Sequence, residues 1–500
     1  MKAPARRSFC VTVCGARAIR ALAAVVPMAV LAGMAGAGAA AVPPAPAAPP
    51  AIASSPAPST TGLVTLEECL RAGLADSAGI AALRADTAAT EAGRRAAETG
   101  YRPRVYGEAA FRRSDNQVVV FSDTLTAGEF TSADFELDNL NNPDAINHGL
   151  LAIGVELPID VTGGVGAGIA AARGSAAAAV ARLEAAEVDL TARLTEAYYG
   201  VALADAAAVV ARETLERATR HEQVAVQRAD SGDALRSEPL RARAARFERE
   251  RELERRRADA ALARTRLAVL MGTPTRSIDV TAPIPAALED VGALADWLDG
   301  AAGRPDIEAA RLGSDAAGEA ARAVRATRGP EMAGTARYER NANGLDDGSG
   351  SYLLGVSVRW NAFDPGRGPR IDEAAAHATA AAARARVLED GARLEIERAW
   401  RDAQVADAAL VSTTEGTAAA EEARRITAER YAAGLMPLTD LLDTESAALG
   451  LRLAALGAQY DAVVARVRLR QSAGLLETPS AAERLSTGAA GPGMAGEGPR

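Results

Sequence analysis

Hydrophobic and polar positions alternate in four short segments of the chain and recur with helical spacing over most of the rest. Val105, Gly107, Ala109 and Phe111 share one parity, while Arg104, Glu108 and Arg112 share the other. Leu151, Ile153, Val155, Leu157 and Ile159 form a second apolar set. Tyr352, Leu354, Val356, Val358 and Trp360 form a third, and Met332, Gly334, Ala336 and Tyr338 a weaker fourth. Period-two alternation puts each set on one face of a β-strand. Each segment is about ten residues long, enough for a tilted strand to cross a bilayer. The remaining blocks are rich in Ala, Leu, Arg and Glu and predict helices over 66–99, 166–229, 239–270, 291–327, 367–431 and 438–473. A helix over 166–229 would be roughly 95 Å long at ~1.5 Å per residue. No compact domain needs that length; coiled coils and helical tubes do.

The order helix, strand pair, very long helix, glycine turn and return helix occurs twice. An offset of 227 aligns Pro103, Gly107, Phe111 and Arg113 with Pro330, Gly334, Tyr338 and Arg340. An offset of 203 aligns Ile153, Val155, Leu157 and Gly163 with Val356, Val358, Trp360 and Gly366. Gly232 and Gly434 match at 202. The change of offset places the length difference in the loop between paired strands, long over 115–149 and short over 342–351. Four strands cannot close a barrel, and an open edge is not tolerated in lipid. Three copies would supply twelve strands. The alternative is a soluble four-stranded sheet capping a helical rod.

Composition narrows the function. Aromatics are 4% of the 500 residues, and alanine carries much of the apolar count, which suits thin helical packing better than a thick core. Three cysteines (Cys10, Cys14, Cys69) and three scattered histidines (His148, His221, His377) exclude a disulfide scaffold and leave little for a metal cluster or a Ser-His-Asp triad. No cofactor site and no enzymatic activity are predicted. The first 41 residues carry five cations and no acid, ahead of an apolar stretch and Ala-x-Ala sites, and read as a cleavable secretory signal. Its removal would take the net charge from −9 to −14, which disfavours nucleic-acid binding. Residues 42–62 read as a Pro/Ala-rich leader and 478–500 as a disordered tail. Cys69, the one cysteine left after cleavage, reads as a buried hydrophobe. Beyond the signal no apolar run of 18 residues predicts a membrane-spanning helix.

Several stretches together resemble the TolC-type outer membrane efflux proteins. They are LVTLEECLRAGLADSAGIAALRAD (63–86), GEFTSADFELDNLNNPDAIN (128–147), LTEAYYGVALADA (194–206), ERYAAGLMPLTDLLDTES (429–446), and the closing segments ALARTRLAVLMGTP and RVRLRQSAGLL. The resemblance covers 63–476 and implies two repeats, 63–290 and 291–477, in a mainly α chain with four transmembrane strands. It implies a homotrimer with a 12-stranded barrel in the outer membrane and a helical tunnel across the periplasm. The trimer would dock through a periplasmic adaptor on an inner-membrane transporter and perform no chemistry. Small-molecule export is the first reading. A duct for type I protein secretion and a poreless surface coiled coil are the alternatives.

The resemblance also assigns the tip. Asp440 and Asp443 match the family's constriction, where three copies would present a ring of carboxylates. Carboxylates at a helix start are equally favoured by the helix dipole, so that reading stays open. Ser237, Glu238 and Tyr431 match positions that hold the closed tip, while Met436 stands where an arginine can occur, with Arg236 as the nearest substitute. The turns at Gly232 and Gly434 match the adaptor-docking turns. Gly163, Gly164, Gly166 and Gly168 lack a P-loop lysine and read as a strand-to-helix turn. The Asp/Asn-rich stretch 134–144 reads as a polar loop or a calcium loop, and the charge run 248–257 as a solvated helix face.

Overall fold

In a computed structural model, residues 63–274, 278–343 and 348–479 are described. The expected signal and leader, and all of the expected tail beyond residue 479, lie outside them. The main helices are α1 (Leu66–Asp76), α2 (Ala78–Glu98), α3 (Gln117–Ala127), α4 (Gly164–Asp230), α5 (Ser237–Leu270), α6 (Pro305–Ala326), α7 (Arg367–Ala432) and α8 (Leu438–Ser472). The main strands are β1 (Arg104–Ser114), β2 (Ile146–Ile159), β3 (Glu331–Ala342) and β4 (Ser349–Arg359). The chain is mostly helical with a small β part.

Two predicted helices are divided. Ser77 breaks 66–99 because it is extended and its Oγ accepts from the Ile80 N–H at 3.4 Å, capping a new helix. Thr65 and Glu68 form a reciprocal capping box that starts α1. In the second half, Pro305 occupies the first turn of α6, so this helix starts there and not at Val291. Residues 291–304 supply only short turns, including a helix at Leu294–Leu298.

The long helices α4 and α7 have 67 and 66 residues, about 100 Å each at ~1.5 Å per residue. Each packs against its own return helix, α5 or α8, and α6 packs against both α4 and α7. Their buried stripes are largely alanine, for example Ala176, Ala178, Ala192, Ala207 and Ala211 on α4. Small side chains allow close helix approach, and this is why so few aromatics suffice. By length and composition, α4 also contains an 18-residue window apolar enough to cross a membrane. The sequence reading finds no such run.

Larger side chains gather where the first half closes. Cys69, Leu194, Tyr198, Val201 and Leu267 form a buried cluster. The Tyr198 hydroxyl donates to the Val64 carbonyl at 3.1 Å and accepts from the Ala282 N–H at 3.2 Å. It thereby ties together two short strands, Leu63–Val64 and Asp279–Val280, that pair in parallel. Burial pushes the Cys69 thiol up to about 12, so it behaves as the inert hydrophobe the sequence suggests.

The four long strands form one antiparallel sheet in the order β1-β2-β3-β4. Register places Val105 beside Val155, Val155 beside Ala336, and Ala336 beside Leu354. One face therefore carries the alternating apolar residues, and Phe111, Leu151, Tyr352, Leu354, Val356 and Val358 are largely exposed on it. The other face is polar. Arg337 on β3 pairs with Glu108 of β1 at 2.8 Å and with Glu339 at 3.1 Å. A broad exposed apolar face is rare on soluble monomers and marks contact with lipid or protein. Among the described residues the outer edges of β1 and β4 have no strand partner.

The loop between β1 and β2 contains α3, which packs against β3 and β4. Its buried Asp123 accepts from Arg112 Nε of β1 at 2.9 Å. His148 contacts the side-chain oxygens of Asn341 and Asn343 at 3.2 and 3.0 Å. In the stretch 134–144, Asp134 accepts from the Thr131 N–H at 2.7 Å and Asn142 bonds Asp138 at 3.3 Å. Among the described residues no group of three or more His, Cys, Asp or Glu could hold a metal ion.

Candidate functional site

At the end of the long helices remote from the sheet, each half turns back through a glycine. Gly232 and Gly434 have φ of 89° and 78°, a left-handed conformation that strains residues bearing a Cβ. The hydrogen bonds match in the two turns. Asp233 N–H donates to the Arg228 carbonyl at 2.8 Å, and Leu435 N–H to the Arg430 carbonyl at 2.9 Å. Both are six-to-one closures of a helix end, and they satisfy carbonyls that the helix leaves free. The helices that follow begin differently. Ser237 is the first residue of α5, with Pro239 two positions on, whereas Pro437 directly precedes α8.

Beneath the turns lies a small core of Ala225, Ala242, Tyr431, Leu438 and Leu441. Tyr431 is 1% exposed, and its hydroxyl donates to Glu238 Oε2 at 3.3 Å. Burial, then the Glu238 charge, raises the Tyr431 phenol above its ordinary pKa, so it stays a donor. Of the tip residues singled out in the sequence, the fold thus brings Glu238 and Tyr431 into contact. Ser237 is exposed, and Met436 is half-buried. Among the described residues Arg236 forms no ion pair.

The cation that reaches Tyr431 is Arg228, which the sequence reading passed over. Its guanidinium lies 4.8 Å from the Tyr431 ring centroid. Nη1 donates to the Tyr431 carbonyl at 2.9 Å, and Nη2 to the Asp233 carbonyl at 3.2 Å. One side chain therefore joins both turns. A signal was present: Arg228 and Arg430 each stand four residues before a turn glycine, at the same offset of 202. Only the structure shows that Arg228 crosses to the other half, while Arg430 is exposed.

Asp440 and Asp443 are exposed on α8. Leu438, Leu441, Glu445 and Ala448 are buried on the other side of this helix. At roughly 100° per residue, the pair at i and i+3 shares one face, and the i, i+3, i+7, i+10 residues share another. Two carboxylates thus stand in the first two turns, free of ion pairs among the described residues and favoured there by the helix dipole.

At the opposite end of α4, Gly163 adopts φ 74° between β2 and the helix, whereas the matching Gly366 has φ −79°. Asp160 accepts from the Gly166 N–H at 3.0 Å and the Tyr101 hydroxyl at 3.1 Å. The glycine cluster is thus a capped strand-to-helix turn. The charge run on α5 is laced by neighbouring pairs, Arg256 to Glu252 at 2.9 Å and Arg257 to Glu254 at 2.6 Å.

A lipid-type sheet continuous with two duplicated helical hairpins defines the class as an outer membrane channel subunit. The sequence profile described as outer membrane efflux protein matches residues 70–273 and 300–475, and the chain belongs to that family. Solved structures agree in fold. The outer-membrane channel OprN matches with TM-score 0.71 and 24% identity, over 82% of this chain and 89% of that one. VceC of Vibrio cholerae gives 0.71 and 22%, over 82% and 96%. The CmeC channel of Campylobacter jejuni gives 0.73 and 15%, over 84% and 88%. No curated protein sequence matches. The protein is an outer membrane channel of the efflux class that extends into the periplasm, and it is a transport protein, not an enzyme.

Proposed function

We propose that three copies of this chain form the outer membrane duct of a tripartite export system for small molecules. The observation that carries this reading is the two-faced sheet with both edges open. Its apolar face suits lipid and its charged face suits water, and unpaired strand edges are costly in a bilayer. Pairing β4 of one copy with β1 of the next removes every edge at twelve strands and puts the Arg337–Glu108 face inside. A poreless surface coiled coil would leave this sheet unexplained.

The same reading places the Gly232 and Gly434 turns at the periplasmic tip, where Leu235 and Leu435 are 72% and 78% exposed. These apolar tips suit a helical adaptor, which would join the duct to an inner-membrane transporter. Asp440 and Asp443 would form the constriction, and Ser237, Glu238, Tyr431 and Met436 would shape its closed state. Accumulation of a fluorescent efflux dye tests the proposal in cells lacking the protein. Retention should rise and be reversed by the intact gene, but not by a tip-blocked variant. Unchanged dye retention together with a missing secreted protein would favour type I secretion instead.

A further inference from the structure

Among the described residues, Glu445 is the buried carboxylate closest to the tip, and three cationic or cation-capable side chains converge on it. It is 5% exposed, on the stripe of α8 that also buries Leu438, Leu441 and Ala448. His221 Nε2 of α4 lies 3.0 Å from Oε1, and Arg217 Nε of α4 lies 3.3 Å from Oε2. Arg424 Nη1 of α7 lies 3.5 Å from Oε1. A second tier closes the network. Arg424 also pairs with Glu421 at 2.7 Å, and Arg452 of α8 pairs with Glu213 of α4 at 2.8 Å and with Glu421 at 3.6 Å. Arg217 lies 4.0 Å from Glu213. Three arginines meet three glutamates, so the network is neutral while His221 is neutral. Burial acts to raise the Glu445 pKa, but the His221 hydrogen bond and the arginine charges outweigh it and hold the carboxyl below its ordinary value.

A charged residue in an apolar stripe adds little stability over a well-packed hydrophobe, but it penalises every other register, because a slipped helix would strand the charge. Around α8, Glu445 lies roughly 200° from Asp443 and roughly 140° from Asp440 at ~100° per residue. A contact that fixes one side of the helix fixes the direction of the other. We propose that Glu445 is a positioning residue. By pinning α8 to α4 and α7 through Arg217, His221 and Arg424, it sets the rotation and height at which Asp440 and Asp443 face the pore. This rests on the reading of those two aspartates as the constriction.

The test is single-channel recording of the full-length trimer in planar bilayers, with reversal potentials taken in a KCl gradient. The variants are Glu445→Gln, Glu445→Asp, Arg424→Gln and the double variant Asp440→Asn with Asp443→Asn. The double variant should shift the reversal potential toward zero. Glu445→Gln keeps both aspartates, yet should shift it in the same direction and replace one conductance level with several. Glu445→Asp should restore the single level, and Arg424→Gln should fall between. Only assembled channels conduct, so a merely structural role would reduce channel yield and leave each channel's conductance and selectivity unchanged. A Glu445→Gln channel with wild-type selectivity and one level overturns the inference. If that variant does not assemble, a wild-type Arg424→Gln channel does so. If the double variant leaves the reversal potential unchanged, the constriction reading fails. The pin is then judged on conductance levels alone, which several levels support and one level overturns.

Discussion

Arg228 offers a quantitative handle on the tip. Replacing it with alanine removes one half-buried hydrogen bond to the Tyr431 carbonyl, one exposed hydrogen bond to the Asp233 carbonyl and the stacking on Tyr431. A hydrogen bond from a charged donor contributes about 1.5–3 kcal/mol when shielded and much less in water, so the first bond dominates. The cation–π contact adds about 0.5–1 kcal/mol at a partly exposed site. The turns should therefore lose roughly 2–3 kcal/mol of local stability. At ~1.4 kcal/mol per decade, opening becomes roughly 30- to 150-fold more frequent. Native-state hydrogen exchange of the assembled protein reads this directly at the Asp233, Gly434 and Leu435 amides, each of which donates across a turn. The Tyr431 carbonyl also accepts from the Gly434 N–H at 3.0 Å, so protection should fall in both halves. Amides of β2 and β3 should not change. Arg228→Lys keeps the charge but loses the fork and the stacking, and should give an intermediate rate. Exchange within about threefold of wild type at all three amides would refute the bridging role.

Four further outcomes follow from other parts of the fold. Leu354→Arg on the apolar face of β4 should cost about 2–4 kcal/mol near the bilayer midplane and deplete heat-stable protein from outer-membrane extracts, whereas Thr335→Arg on the polar face of β3 should be retained. Gly272→Ala forces a Cβ into φ 73° with the Asp76 carbonyl oxygen 2.6 Å away, and should lower stability by at least about 1–2 kcal/mol in thermal unfolding. Gly93→Ala, with open space around the added methyl inside α2, should instead raise stability by about 0.5–1 kcal/mol. Acid should weaken the protein through Asp306 and Glu445. In each, burial acts to raise the pKa but is outweighed, by Arg304 for Asp306 and by His221 and the arginines for Glu445, so both folded values are depressed. Their contribution is complete above the unfolded carboxyl values of about 4 and is lost as pH falls through the lower folded ones. Asp306→Asn and Glu445→Gln should each flatten the loss of melting temperature between neutral and acid pH.

The family and the two-repeat fold were legible because both rest on local signals. Alternation places side chains on opposite strand faces whatever the strand packs against, so the lipid-type and polar faces of the sheet could be read directly. Alanine-rich blocks form helices by propensity, and the paired glycines mark the turns because few other residues tolerate φ near 80°. Boundaries failed where a single cap or proline overrode composition, at Ser77 and Pro305. Contacts between the halves leave no local signal: the resemblance picked out Glu238 and Tyr431 as tip residues, but the structure pairs them. Tyr431 and Glu238 are 193 positions apart, and Arg228 reaches Tyr431 over 203. Glu445 carries no such signal, because nothing local shows that α4 and α7 bring cations to it.

By itself, then, the sequence determined the elements, their duplication and the polarity of each strand face, since these depend on residues a few positions apart. Tertiary structure decided which charges are buried, which arginine crosses the tip and which way the aspartates of α8 point. Those depend on the rotation of helices about 100 Å long against one another, and that rotation is fixed by packing between segments about two hundred residues apart.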